Sequence, residues 1–254
     1  MKNISLLLLT KNEQDNVKGW GSWLPKLSPV NELIVIDDFS TDSTRTILKS
    51  LNSPTLKVRI FKRSLKNNFS LQRNYGLNKC QNDWVLFIDA DEIPTENTIN
   101  YINKLSPKNG ENYSFKRNIL YLGHTISHGQ CLNDYQIKLF NKKEGKFIHP
   151  IHEAWKSNAT TINTHQIIKH HSIKTLTIFL QKINSYSSVR ALELFNQKKR
   201  TNLWEIIFYP KLKFLDLYFL KLGFLDGTPG IILSFSLSLH SFLVRAKLWH
   251  LQQK

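Results

Sequence analysis

Val85-Leu86-Phe87-Ile88-Asp89-Ala90-Asp91-Glu92 is the stretch whose reading decides the fold. Four apolar residues lead directly into three carboxylates within four positions. The apolar run reads as a buried strand. At its end stand Asp89 and Asp91, two positions apart, which an extended chain directs to the same side. Like charges this close repel unless a proton or a cation holds them. A hard divalent ion, Mg2+ or Mn2+, satisfies such a pair, and ions of this kind commonly also hold substrate phosphates. The stretch is therefore read as a strand that delivers charge to a site.

Upstream, Ile4–Leu9 and Glu32–Ile36 are further apolar runs of strand length, and Leu56–Phe61 reads as a third strand. Helical stretches are expected over Asn16–Leu27, Asp42–Leu51, Ser70–Asn78 and Glu96–Leu105, with turn and N-cap chemistry supplied by Ser40-Thr41-Asp42-Ser43-Thr44. Such alternation predicts an α/β fold with a mostly parallel, Rossmann-like sheet and flanking helices. Ligands in such sheets bind at the carboxyl ends of the strands. Three of those ends carry polar clusters: Thr10-Lys11-Asn12-Glu13, Asp37-Asp38 and Asp89-Ala90-Asp91.

Beyond Tyr113 the pattern changes to short strand-like stretches (Tyr113–Lys116, Ile137–Phe140, Lys146–Ile148) among loops rich in Gly, His and Asn. From Thr175 onward the chain is helical in character. Gly227 to Val244 holds no charged residue, which approaches the lower limit for a membrane span, although several serines interrupt it. That helix is expected to pack on the domain, to lie in a membrane interface with its aromatic neighbours, or to span.

The 254 residues carry a formal net charge of +16, enough to expect an anionic partner. Seven Lys or Arg and no acid lie between Lys57 and Lys79, and seven against one acid between Lys169 and Arg200. Cys80 and Cys131, without zinc spacing, read as reduced thiols of a cytosolic protein. The first apolar run is too short for a signal peptide.

The pieces Thr10–Glu13, Asp37–Asp42, Gln72-Arg73-Asn74 and Asp89-Ala90-Asp91 (a DXD motif), in this order and spacing, resemble the nucleotide-sugar half of family 2 glycosyltransferases, which have the GT-A fold. Tyr121–His124, His128-Gly129, Asp134–Phe140, His152-Glu153 and Gly223–Gly227 resemble the lipopolysaccharide core β-glucosyltransferases of the WaaE/KdtX type. Two features depart from that pattern: Lys138 stands where the family carries arginine, and the loop Gly129–Asp134 lacks its aromatic and proline.

The resemblance implies a GT-A domain over residues 1–170, with a nucleotide-sugar half at 1–105 and an acceptor half at 106–170, and a helical, membrane-associating extension at 171–254. It implies an inverting enzyme on the cytoplasmic face of the inner membrane that uses Mg2+ or Mn2+. Such an enzyme moves a hexose, glucose by analogy, from a UDP-sugar donor to a heptose of the lipopolysaccharide core, a lipid-linked acceptor at an anionic membrane surface.

The site expected from these readings draws donor-binding groups from Thr10, Asn12, Glu13, Asp37, Asp38, Arg73, Asp89 and Lys138. Asp37 or Asp38 would accept the uracil imide N–H, or else cap the next helix. Arg73 would clamp phosphate through its fork, with Lys138 a point charge for the same diphosphate. Asp91 is the metal ligand, with Asp89 on the metal or the ribose. Glu153 is the general base, oriented by His152, and Asp134 is second choice.

Two rivals differ in class. A sugar nucleotidyltransferase needs a glycine-rich loop, and Thr10–Val17 contains no glycine. A nucleic-acid partner is not expected, because it leaves the strand-end acids unexplained. Within the same fold, another lipid-linked or cell-surface glycan is the alternative acceptor.

Overall fold

The computed structural model describes residues 2–66, 68–121, 123–149, 153–173 and 175–253. It divides into two compact units: residues 1–117 with 135–170, and residues 118–134 with 171–254.

The first unit is built on β1 (Ile4–Thr10), β2 (Val30–Asp37), β3 (Lys57–Lys62) and β4 (Trp84–Phe87). These strands are parallel, in the order β3-β2-β1-β4. Alternation along β1 sends Leu6 and Leu8 into one core with Trp84, Leu86 and Ile88, and Leu7 into a second with Val85 and Phe87. A strand buried on both faces has no polar side, so its continuous apolar sequence follows from its position. The first core is closed by Leu48 of α2 (Thr44–Ser50) and by Ile99 and Ile102 of α4 (Glu96–Lys104). The second core is closed by Leu77 of α3 (Phe69–Lys79).

Beyond β4 the sheet turns antiparallel and is mixed as a whole. β8 (Tyr135–Asn141) pairs with β4 and with β6 (Glu111–Tyr121), followed in order by β11 (Thr160–Ile173) and β5 (Glu92–Pro94). β7 (His124–Ile126) pairs on β6, and β9 (Gly145–Ile148) with β10 (Ala154–Ser157) forms a separate two-stranded ribbon. The order of connection reverses between β1 and β4, the position at which open α/β sheets hold ligands.

Two elements differ from expectation. The helix expected over Asn16–Leu27 is one short turn, α1 (Gln14–Val17), followed by 3-10 turns at Lys18–Ser22 and Leu24–Lys26. Gly19, Gly21 and Pro25 disfavour a continuous helix there, and Trp20 and Trp23 anchor the turns in the core instead. β11 was not foreseen as one 14-residue strand. Its sequence is polar, and His165, at φ +56, interrupts its alternation.

The second unit consists of α5 (Leu176–Asn196), α6 (Leu203–Leu215), a π turn at Asp216–Leu220, a 3-10 turn at Gly223–Asp226 and α7 (Gly227–Gln252). Thr175 and Asn202 cap α5 and α6 by accepting the N–H groups of Ile178 and Glu205. Its core joins Tyr121 and Ile126 to Phe179, Ile183 and Leu233.

Gly76 sets how closely α3 approaches the sheet. A Cβ there would lie 2.5 Å from Leu7 Cδ1 and 3.1 Å from Ile36 Cγ1, both fully buried. Gly76→Ala is expected to destabilise the protein by about 1–3 kcal/mol through overpacking. Urea denaturation measures this, and an unchanged midpoint contradicts the close packing.

Candidate active site

β1, β2 and β4 end side by side, and their following loops are tied together. The Asp38 N–H donates to the Thr10 carbonyl at 2.9 Å. Asn12, at φ +53, accepts the Thr41 N–H at 2.8 Å and donates its own N–H to Ser40 Oγ at 2.9 Å. The Glu13 N–H donates to Thr44 Oγ1, and the Glu13 carboxylate accepts from Asn16. Asn12 is thus a staple between two strand-end loops, a role that its residue type alone does not announce.

Asp37 is fully buried, and its Oδ2 accepts the Ser40 N–H at 3.0 Å. Its Oδ1 has no partner, and neither has Oγ1 of Thr10, its register neighbour on β1. Two unpartnered polar atoms on adjacent strand ends are what a polar ligand would satisfy. Asp38 accepts the Leu65 N–H at 3.1 Å and pairs with Lys11 at 2.9 Å. Burial pushes its carboxyl upward, but these two contacts outweigh it and hold Asp38 below the ordinary carboxylate range.

The end of β4 is built around a buried lysine. Lys138 of β8 is 2% exposed, and its Nζ donates to Glu92 Oε2 at 2.5 Å and to Asp89 Oδ2 at 3.2 Å. The Asp89 N–H donates to Glu92 Oε2, the Glu92 N–H to the Asp89 carbonyl, and the Trp20 indole to the Ala90 carbonyl at 3.2 Å. The Asp89-Ala90-Asp91 turn is therefore held from three sides. Lys138, expected to reach a diphosphate, is instead committed to carboxylates of its own chain.

Burial alone would raise Asp89; Lys138, and after it Arg73, outweigh this and hold its carboxyl down to about 2. Its ordinary value is 3.8, so the pairing stabilises the fold above about pH 4, and that contribution is lost as pH falls through about 2. Burial pushes Glu92 the other way. Lys138 pulls it back only in part, and the Asp89 charge adds to the rise.

Arg73 comes from α3. Its guanidinium lies 3.9 Å from the Phe87 ring centre, is 3.7 Å from Asp89 Oδ1, and is ion-paired with Glu153. The neighbouring Asn74 fixes α3 to β9, accepting the Phe147 N–H at 2.9 Å and donating to the Phe147 carbonyl at 2.8 Å. The expected clamp and the expected base are thus direct partners. His152 lies outside the described residues.

Asp91 faces His170 of β11, whose Nε2 is 3.0 Å from Asp91 Oδ2 and whose Nδ1 is buried without a partner. His170 is not among the site residues expected from the sequence. It lies 79 positions from Asp91, and only the antiparallel pairing of β11 with β5, His170 opposite Glu92, brings it to the site.

Among the described residues no three His, Cys, Asp or Glu side chains are gathered to hold a metal unaided. One or two carboxylates completed by substrate phosphates is the usual arrangement for a Mg2+ site, and Asp91 and Asp89 offer oxygen donors suited to that ion or to Mn2+.

Asp134 belongs to the second unit, and its N–H bonds the Cys131 carbonyl. In that unit Asp226 accepts the His128 N–H at 2.9 Å and the Ser127 N–H at 3.2 Å, and pairs with His128 Nδ1 at 2.9 Å. These contacts give the His128-Gly129 and Gly223–Gly227 motifs a structural role in holding the second unit together.

The model for glycosyl transferase family 2 matches residues 6–184. An uncharacterized glycosyltransferase of Rickettsia typhi is 28% identical over 268 residues, 100% of this chain and 89% of its own length. The lipopolysaccharide core biosynthesis glycosyltransferase LpsC of Rhizobium meliloti is 22% identical over 97% of this chain and 92% of its own. A mannosyltransferase of Pyrobaculum calidifontis, solved with GDP-Man and Mn2+, superposes with a TM-score of 0.51 at 13% identity. The match covers 76% of this chain and 64% of the mannosyltransferase, so this chain spans just under two thirds of that protein; the likeness is one of GT-A fold.

Removing the lysine tests the electrostatics of the β4 end. Lys138→Met strips buried Glu92 and half-buried Asp89 of their cation and is expected to cost about 3–5 kcal/mol near neutral pH. Without Lys138 the Glu92 value rises further above its unfolded one, so the penalty shrinks as pH falls and Glu92 takes up a proton. Denaturant titrations at about pH 8 and about pH 5 measure the difference. A loss independent of pH contradicts the assignment.

Proposed function

Because this chain belongs to glycosyl transferase family 2, we propose that it moves a hexose from a UDP-sugar to a lipid-linked acceptor, a heptose of the lipopolysaccharide core, with inversion at the anomeric carbon. The observation that carries the proposal is a pair of contacts near the carboxyl end of β4: Arg73 with Asp89 and Glu153, and Asp91 with His170.

In this reading the nucleoside lies over the ends of β1 and β2, where Thr10 Oγ1 and Asp37 Oδ1 have no protein partner. Asp91 and Asp89 would hold a divalent cation, which when bound supplies positive charge to the departing diphosphate. Arg73 presents its fork to the same diphosphate. Glu153 takes the proton of the acceptor hydroxyl as that oxygen bonds to the anomeric carbon, and the bond to the diphosphate breaks with its electron pair leaving on UDP.

The Arg73–Glu153 contact adds an order to these events. Glu153 is engaged with Arg73 before substrate arrives, and a donor diphosphate offers Arg73 another anion, leaving the carboxylate to the acceptor. Support for a lipopolysaccharide acceptor comes from the likeness to LpsC along nearly the whole chain and from the net charge of +16, which suits a phosphorylated acceptor at an anionic membrane face. A different lipid-linked glycan is the second reading, favoured by the loop Gly129–Asp134, which departs from the core-glucosyltransferase pattern. Family membership sets the nucleotidyltransferase alternative aside.

Incubating the protein with Mn2+, a truncated lipopolysaccharide core and, in turn, UDP-glucose, UDP-galactose, UDP-N-acetylglucosamine and GDP-mannose tests the proposal through nucleoside diphosphate release. One UDP-hexose is expected to turn over. Asp91→Ala is expected to lose metal-dependent UDP binding, whereas Glu153→Gln keeps UDP affinity and loses transfer by about 100-fold or more. No UDP binding and no turnover of any donor overturns the proposal. Near-normal turnover by Glu153→Gln moves the base elsewhere, with Asp134 next in line.

A further inference from the structure

The second unit exposes far more apolar surface than a water-facing helical unit requires. Among the described residues, all but four of the large hydrophobic side chains that are exposed belong to it. Three helices carry this surface, α5 among them with Tyr186, Val189 and Leu192 exposed, and α6 and α7 differ in kind.

α7 meets the length and composition of a membrane-crossing helix, but it is the spine of its unit. Gly230, Leu233, Val244 and Leu248 are buried along it, and so are its serines at 234, 236 and 238. Ser238 Oγ donates to the Pro210 carbonyl of α6 at 2.7 Å, and Lys247 donates to Asn184, Ser187 and Ser188 of α5. The polar groups that make α7 too polar for lipid are used inside the protein.

α6 is the opposite case. None of its residues is buried. Half-buried Ile206, Pro210 and Phe214 share the face of α6 that carries the Pro210 carbonyl bonded by Ser238. The remaining arc is nevertheless apolar, with Trp204 67%, Phe208 47%, Leu212 60% and Leu215 47% exposed. A helix that is apolar on its outward arc, here apart from Lys211 and Lys213, belongs against a core or against lipid. The turns after α6 continue the surface with Phe219, Leu220 at 77% and Leu225.

Cations bracket this surface. Lys198, Lys199 and Arg200 are exposed immediately before α6, Lys211 lies within the apolar arc, and Lys221 follows it. Apolar and aromatic side chains ringed by Lys and Arg match the chemistry of a bilayer interface with anionic headgroups. The same cations oppose self-association, because a second copy would bring like charges together.

We infer that α6 and the turns after it, rather than α7, form the surface by which the second unit lies on an anionic lipid bilayer. The inference deepens the proposed action on a lipid-linked acceptor, but its test needs neither donor nor acceptor.

Flotation of the full chain with vesicles of phosphatidylcholine alone, or with phosphatidylglycerol added, measures the binding. The protein is expected to float with the anionic vesicles, and less so as salt rises. Trp204→Ser, Leu212→Ser and Leu220→Ser combined are expected to weaken that binding by about tenfold or more, while the circular dichroism spectrum and thermal midpoint are retained. Phe235→Ser on α7, which removes a side chain 65% exposed, is expected to leave it within about twofold.

Undiminished binding by the triple variant overturns the inference. So does a stable dimer in sedimentation that the same three substitutions dissolve, since a second copy would then cover α6. If vesicle binding behaves as stated while no donor turns over, the docking surface stands and the catalytic reading fails; the reverse outcome separates them the other way.

Discussion

A buried lysine between two carboxylates is the constraint on which the site depends. Lys138 donates to Glu92 and Asp89 at the end of β4, where the sheet changes from parallel to antiparallel pairing. Its cost is the desolvation of three charges, which hydrophobic replacements of similar shape would avoid. What it provides is a fixed geometry, in which Asp89 is held ionised and the next carboxylate, Asp91, stands at the sheet edge opposite His170. Arg73 completes this field from the other side, resting on Phe87 and touching both Asp89 and Glu153. The carboxyl end of one strand thereby gathers groups from α3, β8, β11 and the segment before β10.

The parts of the fold that were legible in the sequence are those in which local pattern and tertiary position agree. β1, β2 and β4 carry apolar runs where both of their faces are covered, and their polar carboxyl ends are conspicuous for the same reason. The Asp89-Ala90-Asp91 turn was visible as a site because no local capping need explains paired acids after a buried strand. Lys138 was visible only as a residue of the right charge. Its burial follows from the antiparallel pairing of β8 with β4, and no periodicity within β8 reveals that pairing. The placement of His170 beside Asp91 was hidden in the same way, since it follows from a long-range strand pair. Asn12 was read as a ligand contact, whereas the loop geometry uses its amide to join two strand ends.

The second unit shows where apolar composition misleads. α7 has the composition of a membrane segment and serves as the internal support of a helical unit, its serines satisfied against α6 or buried. α6, shorter and with Pro210 in its interior, carries uncovered apolar surface and buries none of its residues. Length and hydropathy measure what a helix is made of, and only its neighbours show which face remains for lipid.

The central claim is that a nucleotide sugar and a divalent cation meet at the carboxyl ends of β1 and β4. A crystal structure of the protein with a UDP-sugar and Mn2+, with the manganese located by its anomalous signal, tests it most directly. The account predicts manganese bound to Asp91 and to the diphosphate, Arg73 turned from Glu153 toward the phosphates, and the nucleoside over Thr10 and Asp37. Manganese without Asp91 among its ligands, or a nucleotide bound away from these strand ends, would contradict it.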